Sequence, residues 1–475
     1  MPAPVFLAAV DLGATSGRVI LGTWSKLRLT LTEAHRFPNT YRELGAHTYW
    51  EVGTLWHEVQ TGLRKAVAAL PRGAKLASVG VDTWGCDHVL LNDAGRLVFP
   101  VHAYRDTRTQ PGLAALAKNG ADRLYAATGI PNVFYNTSLQ LAETVARCPA
   151  ITDLATRCLF LPDYFNFLLS GRAENELTVA STSQLLGVHT RDWSRAALEH
   201  FRIPPTWFTP PVLAGRKLGR VKGLPELAGT QVIAVPGHDT ACAYDAMPAS
   251  PEGGDLFLSS GTWSLIGFEN PQPLLGPAAL AARVANERTG LGAYRPLTNV
   301  VGLFLLEQTM HDFSLRPQSP REWDALITTA GQRPAPTVLL DPTDPAFTAP
   351  KSMRAAIDAQ LKRRKAAAPK DLAGYTRLIC DSIGRGHAGA AVNFEQMTGR
   401  KFRRILMVGG GSKNRLLCQA TSDAAGIPVI SFNLEGTAVG NMASQLVALG
   451  AVKDLATFRQ HLGAGLQQKT YRPRG

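Results

Sequence analysis

One pattern occurs twice in this chain, in the same order, and it narrows the choice of folds more than composition does. AAVDLGATSGRVILG (residues 8–22) sets apolar β-formers on both sides of a turn of Gly, Ala, Thr and Ser, with Asp11 at its entrance and Arg18 at its exit. Such a segment reads as strand, tight turn, strand. DLFLSSGTWSLIG (255–267) repeats it, with Ser260, Gly261 and Thr262 in the turn. Later in each half, VGVDTWGCDHVLL (79–91) and LMVGGGSKNRLL (406–417) run a strand into glycine and then an apolar stretch. Single glycine turns are common. Two matched pairs in one order predict a duplicated domain whose halves face each other across a cleft.

The segments between these motifs alternate in period. LASVGVD (76–82), QVIAVPG (231–237), DLFLSS (255–260), RILMVGG (404–410) and PVISF (428–432) read as strands, whereas 54–70 and 375–399 carry apolar residues at helical spacing. That alternation is the mark of an α/β protein. DAMPASPEGGD (245–255) concentrates Pro, Gly and Ser, so we expect an N-terminal domain over 1–247, a C-terminal domain over 254–450 and a tail over 451–475.

Composition removes several function classes. Over 475 residues the chain is 45% hydrophobic and 18% charged, and no stretch is long and apolar enough to span a bilayer. The opening MPAPVFLAAVDLG is short and uncharged for a secretory signal, so a cytoplasmic protein with no membrane partner is expected. Six cysteines, Cys86, Cys148, Cys158, Cys242, Cys380 and Cys418, form no CxxC pair, which suits reduced thiols better than a zinc site or disulfide framework. The net charge of +13 invites a nucleic-acid reading, but KRRK (362–365) and RKFRR (400–404) are the only dense basic runs, and neither is interleaved with aromatics in an RNA- or DNA-binding pattern. No nucleic-acid partner is expected; a general positive potential would instead favour an anionic nucleotide.

Two glycine hairpins suit a nucleotide triphosphate, because backbone N–H groups and small hydroxyls can surround phosphate oxygens. The candidates are Gly13, Ala14, Thr15, Ser16, Gly17 and Arg18 in the first hairpin, and Ser260, Gly261 and Thr262 in the second. Asp11 is the candidate Mg2+ ligand, directly or through water. A lone hairpin would be better explained by local turn chemistry. There is no GxxxxGK[ST], which excludes a Walker-type loop. VGGGSKN (408–414) offers bare backbone at Gly410 and Gly411, with Asn414 behind, for a flat adenosine, although close strand-to-helix packing also accounts for such glycines.

Acid–base chemistry has two candidates. Asp239 in VPGHDTACA follows a strand and opens a small-residue helix, where a carboxylate can take a proton from an attacking hydroxyl or merely cap the helix. Asp82 in VDTWG serves the same logic, and spacing does not choose between them. Residues suited to a sugar gather in the first half: Thr83, Trp84 and Gly85, then Arg105, Asp106 and Arg108, then Asn136 and Gln140. Their combination carries the reading, since each alone is an ordinary surface or helix-end residue.

Taken together, VDLGATSGR, HRF (35–37), VDTWGCDHVLL, YRDTR, LPDYFNFLLSG (161–171), ASTSQLL (180–186), GHDTACA, LSSGTWSLIGFE (258–269) and VGGGSKN resemble the FGGY carbohydrate kinases along the whole chain. The resemblance implies two actin-like (ribonuclease H-like) α/β domains flanking a nucleotide and sugar cleft. It further implies ATP- and Mg2+-dependent phosphorylation of a ketose, with L-rhamnulose the acceptor in the branch that DTWGCD, SSGTWSL and GHDT resemble. By that likeness Ala14 to Arg18 and Thr262 serve the phosphates, and the VGGG glycines the adenosine. Gly85, His238, Asp239, Thr240 and Asn299 serve the sugar, and Asp239 is the base. Neighbouring ketoses (L-fuculose, L-ribulose, D-xylulose) and a non-catalytic sensor are the alternatives, and a monomer or homodimer is expected. Departures include GLFLLEQ, which sets Glu307 where similar enzymes carry a nucleotide-contacting Gln and moves Gln308 one place on, TSLQL for the usual TLYQL, and Lys413 in place of a Gln.

Overall fold

The computed structural model describes residues 3–117, 121–342, 344–347 and 350–474. The chain divides into two compact units. One comprises the residues up to Pro248 together with Glu269–Pro296 and Gly436–Gly465; the other comprises Ala249–Phe268, Leu297–Glu435 and the residues from Leu466 onward. The first break falls inside the Pro- and Gly-rich 245–255 stretch.

The first unit is built on a sheet of six strands in the order Arg28–Pro38, Ser16–Ser25, Val5–Leu12, Leu76–Thr83, Gln231–Ile233, Lys217–Arg220. The three starting at Val5, Leu76 and Gln231 run parallel, and the others antiparallel to their neighbours. Val5–Leu12 is central, and Leu7, Ala8, Ala9, Val10 and Leu12 are all fully buried, which is why it reads as a continuous apolar run rather than an alternation. Helix Val52–Ala68 lays Leu55, Val59, Leu63 and Ala66 into the same core, a spacing that keeps them on one stripe. Gly62 is required at that contact, because a Cβ there would lie 2.3 Å from a Val19 methyl.

The second unit repeats the plan. The second sheet has seven strands, in the order Ala285–Arg288, Tyr294–Val301, Trp263–Gly267, Asp255–Ser260, Arg404–Val408, Val429–Phe432, Gln468–Tyr471, with the three starting at Asp255, Arg404 and Val429 parallel. From Tyr294–Val301 to Gln468–Tyr471, strand order and direction match the first sheet step for step, so the duplication expected from the hairpins exists as topology. The second sheet carries Ala285–Arg288 as an extra edge strand, and at the opposite edge chain order differs: Lys217–Arg220 precedes its neighbour, and Gln468–Tyr471 follows it. Helix Leu372–Thr398 is capped by Asp371, whose carboxylate accepts from Gly374 N–H at 2.8 Å, and stops at Gly399 with φ 67°. It buries Leu378, Ile379, Ile383 and Phe394, each worth about 1.5–3 kcal/mol of apolar transfer.

Helices 54–70 and 375–399 of the sequence reading appear as Val52–Ala68 and Leu372–Thr398. The run 231–237 forms ladder pairs only to Ile233 and then continues extended, with Gly237 carbonyl accepting from Thr83 N–H at 2.9 Å. All six cysteines are free, and five are buried. In the RKFRR run, Lys401 pairs with Glu395 and Arg404 with Asp255. Among the described residues no helix is long and apolar enough to cross a membrane.

Candidate active site

In the first unit, chemistry collects where parallel strands end, the usual location of sites in such sheets. Register puts Asp11 beside Arg18 on one side and Asp82 on the other. The Asp11 carboxylate is ion-paired with the Arg18 guanidinium. Asp82 is fully buried; its Oδ2 accepts from Asn441 Nδ2 at 2.6 Å, while Oδ1 has no hydrogen-bond partner. Burial first, then the neighbouring Asp11 charge, push its carboxyl well above the usual carboxylate range. Asn441 reaches this place from helix Gly436–Ala448, and Gln445 one turn on holds it at 2.6 Å while also bonding Ala8 carbonyl (2.9 Å) and Ser78 hydroxyl (2.6 Å). Gly440 lets that helix approach helix Asp239–Asp245, since a Cβ there would meet Cys242 carbonyl oxygen at 1.8 Å.

The first hairpin turn is tied down by Asn39, whose Nδ2 donates to Gly13 carbonyl at 2.7 Å and whose N–H donates to Thr15 carbonyl at 3.1 Å. Thr15 is exposed, Ala14 and Ser16 are half-buried, and Gly17 is packed so that a Cβ would lie 2.3 Å from the Phe37 ring. The small residues therefore keep one face of the turn low and the other pressed on the core.

Asp239 is the first residue of helix Asp239–Asp245, with His238 as its N-cap. Its Oδ1 accepts from Thr240 N–H at 2.6 Å and from Thr240 hydroxyl at 3.1 Å, and lies 3.4 Å from His238 Nε2. Its side chain is 30% exposed, against 5% for Asp11 and full burial for Asp82. Behind it, Glu176 Oε2 gathers the N–H groups of Gly237 (2.8 Å), Thr178 (2.8 Å) and Val179 (3.2 Å), and Thr178 hydroxyl accepts from His238 N–H at 3.3 Å.

The other candidates of the first half divide by environment. Trp84 is buried against Trp50 with ring centroids 4.3 Å apart, and its indole N–H donates to Asp87 Oδ2 at 2.8 Å. Asp87 also accepts from Trp50 Nε1, Tyr104 N–H and Gln140 Nε2, and burial raises its carboxyl to about 6 despite them. Asp106 is buried and accepts from Thr48 N–H (2.7 Å) and Arg108 N–H (2.8 Å), capping a short helical turn. The polar atoms of Trp84 and Asp106 are thus spent on the framework. Arg108 pairs with Glu143 at 3.1 Å, and Asn136 Nδ2 donates to Pro131 carbonyl. Thr83 is buried, with its hydroxyl on Trp84 carbonyl, Gly85 packs against the Thr182 side chain, and Arg105 lies half-buried over the Tyr104 ring.

In the second unit Gly261 closes its hairpin by donating to Trp263 carbonyl at 2.8 Å, and Thr262 is exposed beside Trp263, which stacks on Phe304. Asn299 sits exposed on strand Tyr294–Val301, paired with Leu265. The third glycine cluster is explained in part by packing: Gly409 has φ 86°, and a Cβ on Gly411 would lie 2.1 Å from Ser260 Oγ. Gly410, by contrast, faces open space. Asn414 caps helix Arg415–Ala425 through Leu416 and Leu417 N–H, and Lys413 is exposed. Glu307 turns to Arg316, with which it pairs at 2.7 Å.

These features fit a family that both halves match independently. Residues 6–244 match the N-terminal domain of the FGGY family of carbohydrate kinases, and residues 256–449 match its C-terminal domain. The chain belongs to that family. This FGGY kinase is 36% identical to a rhamnulokinase of Pectobacterium carotovorum subsp. carotovorum (strain PC1) over 474 residues, covering 98% of this chain and 93% of the relative. It is equally similar to a rhamnulokinase of Klebsiella pneumoniae subsp. pneumoniae over 468 residues, covering 98% and 94%. Among solved structures, a gluconate kinase from Lactobacillus acidophilus superposes with TM-score 0.81 at 16% identity, covering 99% and 94% of the two chains. A xylulose kinase from Rhodospirillum rubrum gives 0.79 at 17%, with the same coverage, and these two likenesses speak for the fold. The protein is a sugar kinase, acting on a small-molecule sugar, of a family that uses ATP as phosphate donor.

Glu176, Glu287, Arg295 and Asn441 leave no signal in the sequence, because each is a lone polar residue whose partners lie elsewhere in the chain. Among the described residues, His47, His102 and Asp106 bring ligand atoms within 4.8 Å of one another. Imidazoles are poor ligands for Mg2+. The Asp11–Asp82 pair suits it better, because both offer carboxyl oxygens and Asp82 Oδ1 is buried with no hydrogen-bond partner.

Proposed function

We propose that this kinase transfers the γ-phosphoryl group of ATP to the 1-hydroxyl of L-rhamnulose, in cytoplasmic rhamnose breakdown, with Asp239 as general base. The substrate rests on the 36% identity to rhamnulokinases over 98% of the chain. The base rests on exposure. A general base must come within hydrogen-bond reach of the hydroxyl it deprotonates. Asp239 is partly exposed, whereas Asp82 is buried on an amide and Asp11 is ion-paired, which supports Asp239 over Asp82 as the base.

On this reading His238, Thr240 and Gly85 orient the sugar, and Asp239 accepts the hydroxyl proton as the oxygen attacks phosphorus. The turn Ala14–Arg18 and Thr262 offer N–H, hydroxyl and guanidinium groups to the phosphates, and Gly410 offers open backbone to the adenosine. Asp11, with Asp82 beside it, would hold Mg2+, which neutralises phosphate charge in reactions of this class. Asp239→Asn keeps the shape of the helix start and removes the base. It is expected to lower kcat by about 10²–10⁴-fold while calorimetry still detects L-rhamnulose binding. Turnover near the wild-type value would assign the proton to another group.

A further inference from the structure

The His238 ring is held by more than its neighbours in sequence. Glu287, on strand Ala285–Arg288, places Oε2 2.9 Å from His238 Nδ1. Arg295, fully buried, bonds that same carboxylate, lies 2.8 Å from Nδ1, and donates from Nε to Arg288 carbonyl at 3.0 Å. Its guanidinium carbon sits 5.3 Å from the centre of the Tyr244 ring. A buried ion pair is costly to assemble and contributes little net stability against an apolar replacement. Burial alone would raise the Glu287 carboxyl, yet Arg295 and His238 facing it bring it below the ordinary glutamate range. Both members of the pair thus meet the ring at Nδ1, leaving Nε2 as the ring nitrogen turned toward Asp239 at 3.4 Å.

We propose that Glu287, anchored by Arg295, is a positioning residue that locks the His238 imidazole so that Nε2 faces the sugar and the base. The proposal rests on the reading of His238 as a sugar contact. Glu176 and Thr178 hold the backbone of the same turn; the Glu287–Arg295 pair holds the ring, and neither of the pair needs to touch substrate.

The test is a double-mutant cycle in the full chain, read as KM for L-rhamnulose, KM for ATP and melting temperature. Glu287→Asp keeps a charge beside Arg295 but withdraws it from His238, and Glu287→Gln keeps the shape and removes the charge. Both are expected to raise the KM for L-rhamnulose about tenfold, the size of one buried hydrogen bond, with the KM for ATP within about twofold. His238→Ala is expected to do the same, and His238→Ala with Glu287→Asp no more than His238→Ala alone, because Glu287 acts through His238. A KM for sugar unchanged in Glu287→Asp, or effects that multiply in the double variant, would overturn the positioning role while leaving the sugar contact intact. A silent His238→Ala would instead remove the sugar contact itself, and the inference with it.

Discussion

Three aspartates at the strand ends have one functional group and three different fates. Asp11 is neutralised by Arg18, Asp82 is sealed under Asn441, and Asp239 keeps an accessible oxygen at a helix start. Environment rather than residue type therefore separates the proposed cation ligand, Asp11, and its buried neighbour, Asp82, from the proposed base, Asp239. Asp82→Asn removes a buried carboxyl whose ionisation is disfavoured, so melting temperature should not fall. The Mg2+ concentration for half-maximal velocity should rise about 10- to 100-fold, as when an outer partner of a metal site is lost. A Mg2+ titration of initial rate reads this directly; an unchanged midpoint would leave Asp82 a purely structural residue.

At the scale of elements, glycine turns divide into those that packing demands and those it leaves open. Gly411→Ala drives a methyl into Ser260 and should destabilise the fold by about 1–3 kcal/mol, visible as an earlier thermal transition. Gly410→Ala meets nothing within 4 Å, so its melting temperature should stay put while the KM for ATP rises several-fold if adenosine lies on that backbone. Similar ATP affinities in Gly410→Ala and wild type would move the nucleotide elsewhere. The strands, both long helices and the repeated hairpins were legible in the sequence because hydrophobic period and turn chemistry are local signals. Asn441, Glu176 and Glu287 were not, because a single polar residue gives no period and its partner lies far away in the chain. Trp84 and Asp106 show the converse: residue types fitted to a sugar, in a run of similar residues, whose polar atoms are already engaged by Asp87, Thr48 and Arg108.

For the whole molecule, buried carboxyls make stability depend on pH. Burial raises Asp245 to about 7 from 3.8, although Arg459 opposes the shift. Between roughly pH 4 and 7 the folded state holds a proton that the unfolded chain has released, so stability falls as pH rises through that window and levels off above it. Asp245→Asn removes the effect. The gain in melting temperature of the variant over wild type should therefore be larger at pH 8 than at pH 5; a gain independent of pH would show that Asp245 is charged throughout. Asp87, raised to about 6, acts in the same direction over a lower window. The central claim, that this FGGY kinase phosphorylates L-rhamnulose, is tested most directly by ADP release from ATP and Mg2+ with L-rhamnulose, L-fuculose, L-ribulose and D-xylulose at equal concentrations. The account predicts sugar-dependent release with the highest kcat/KM for L-rhamnulose. A higher value for another of the four, or no sugar-dependent release with any, would contradict it.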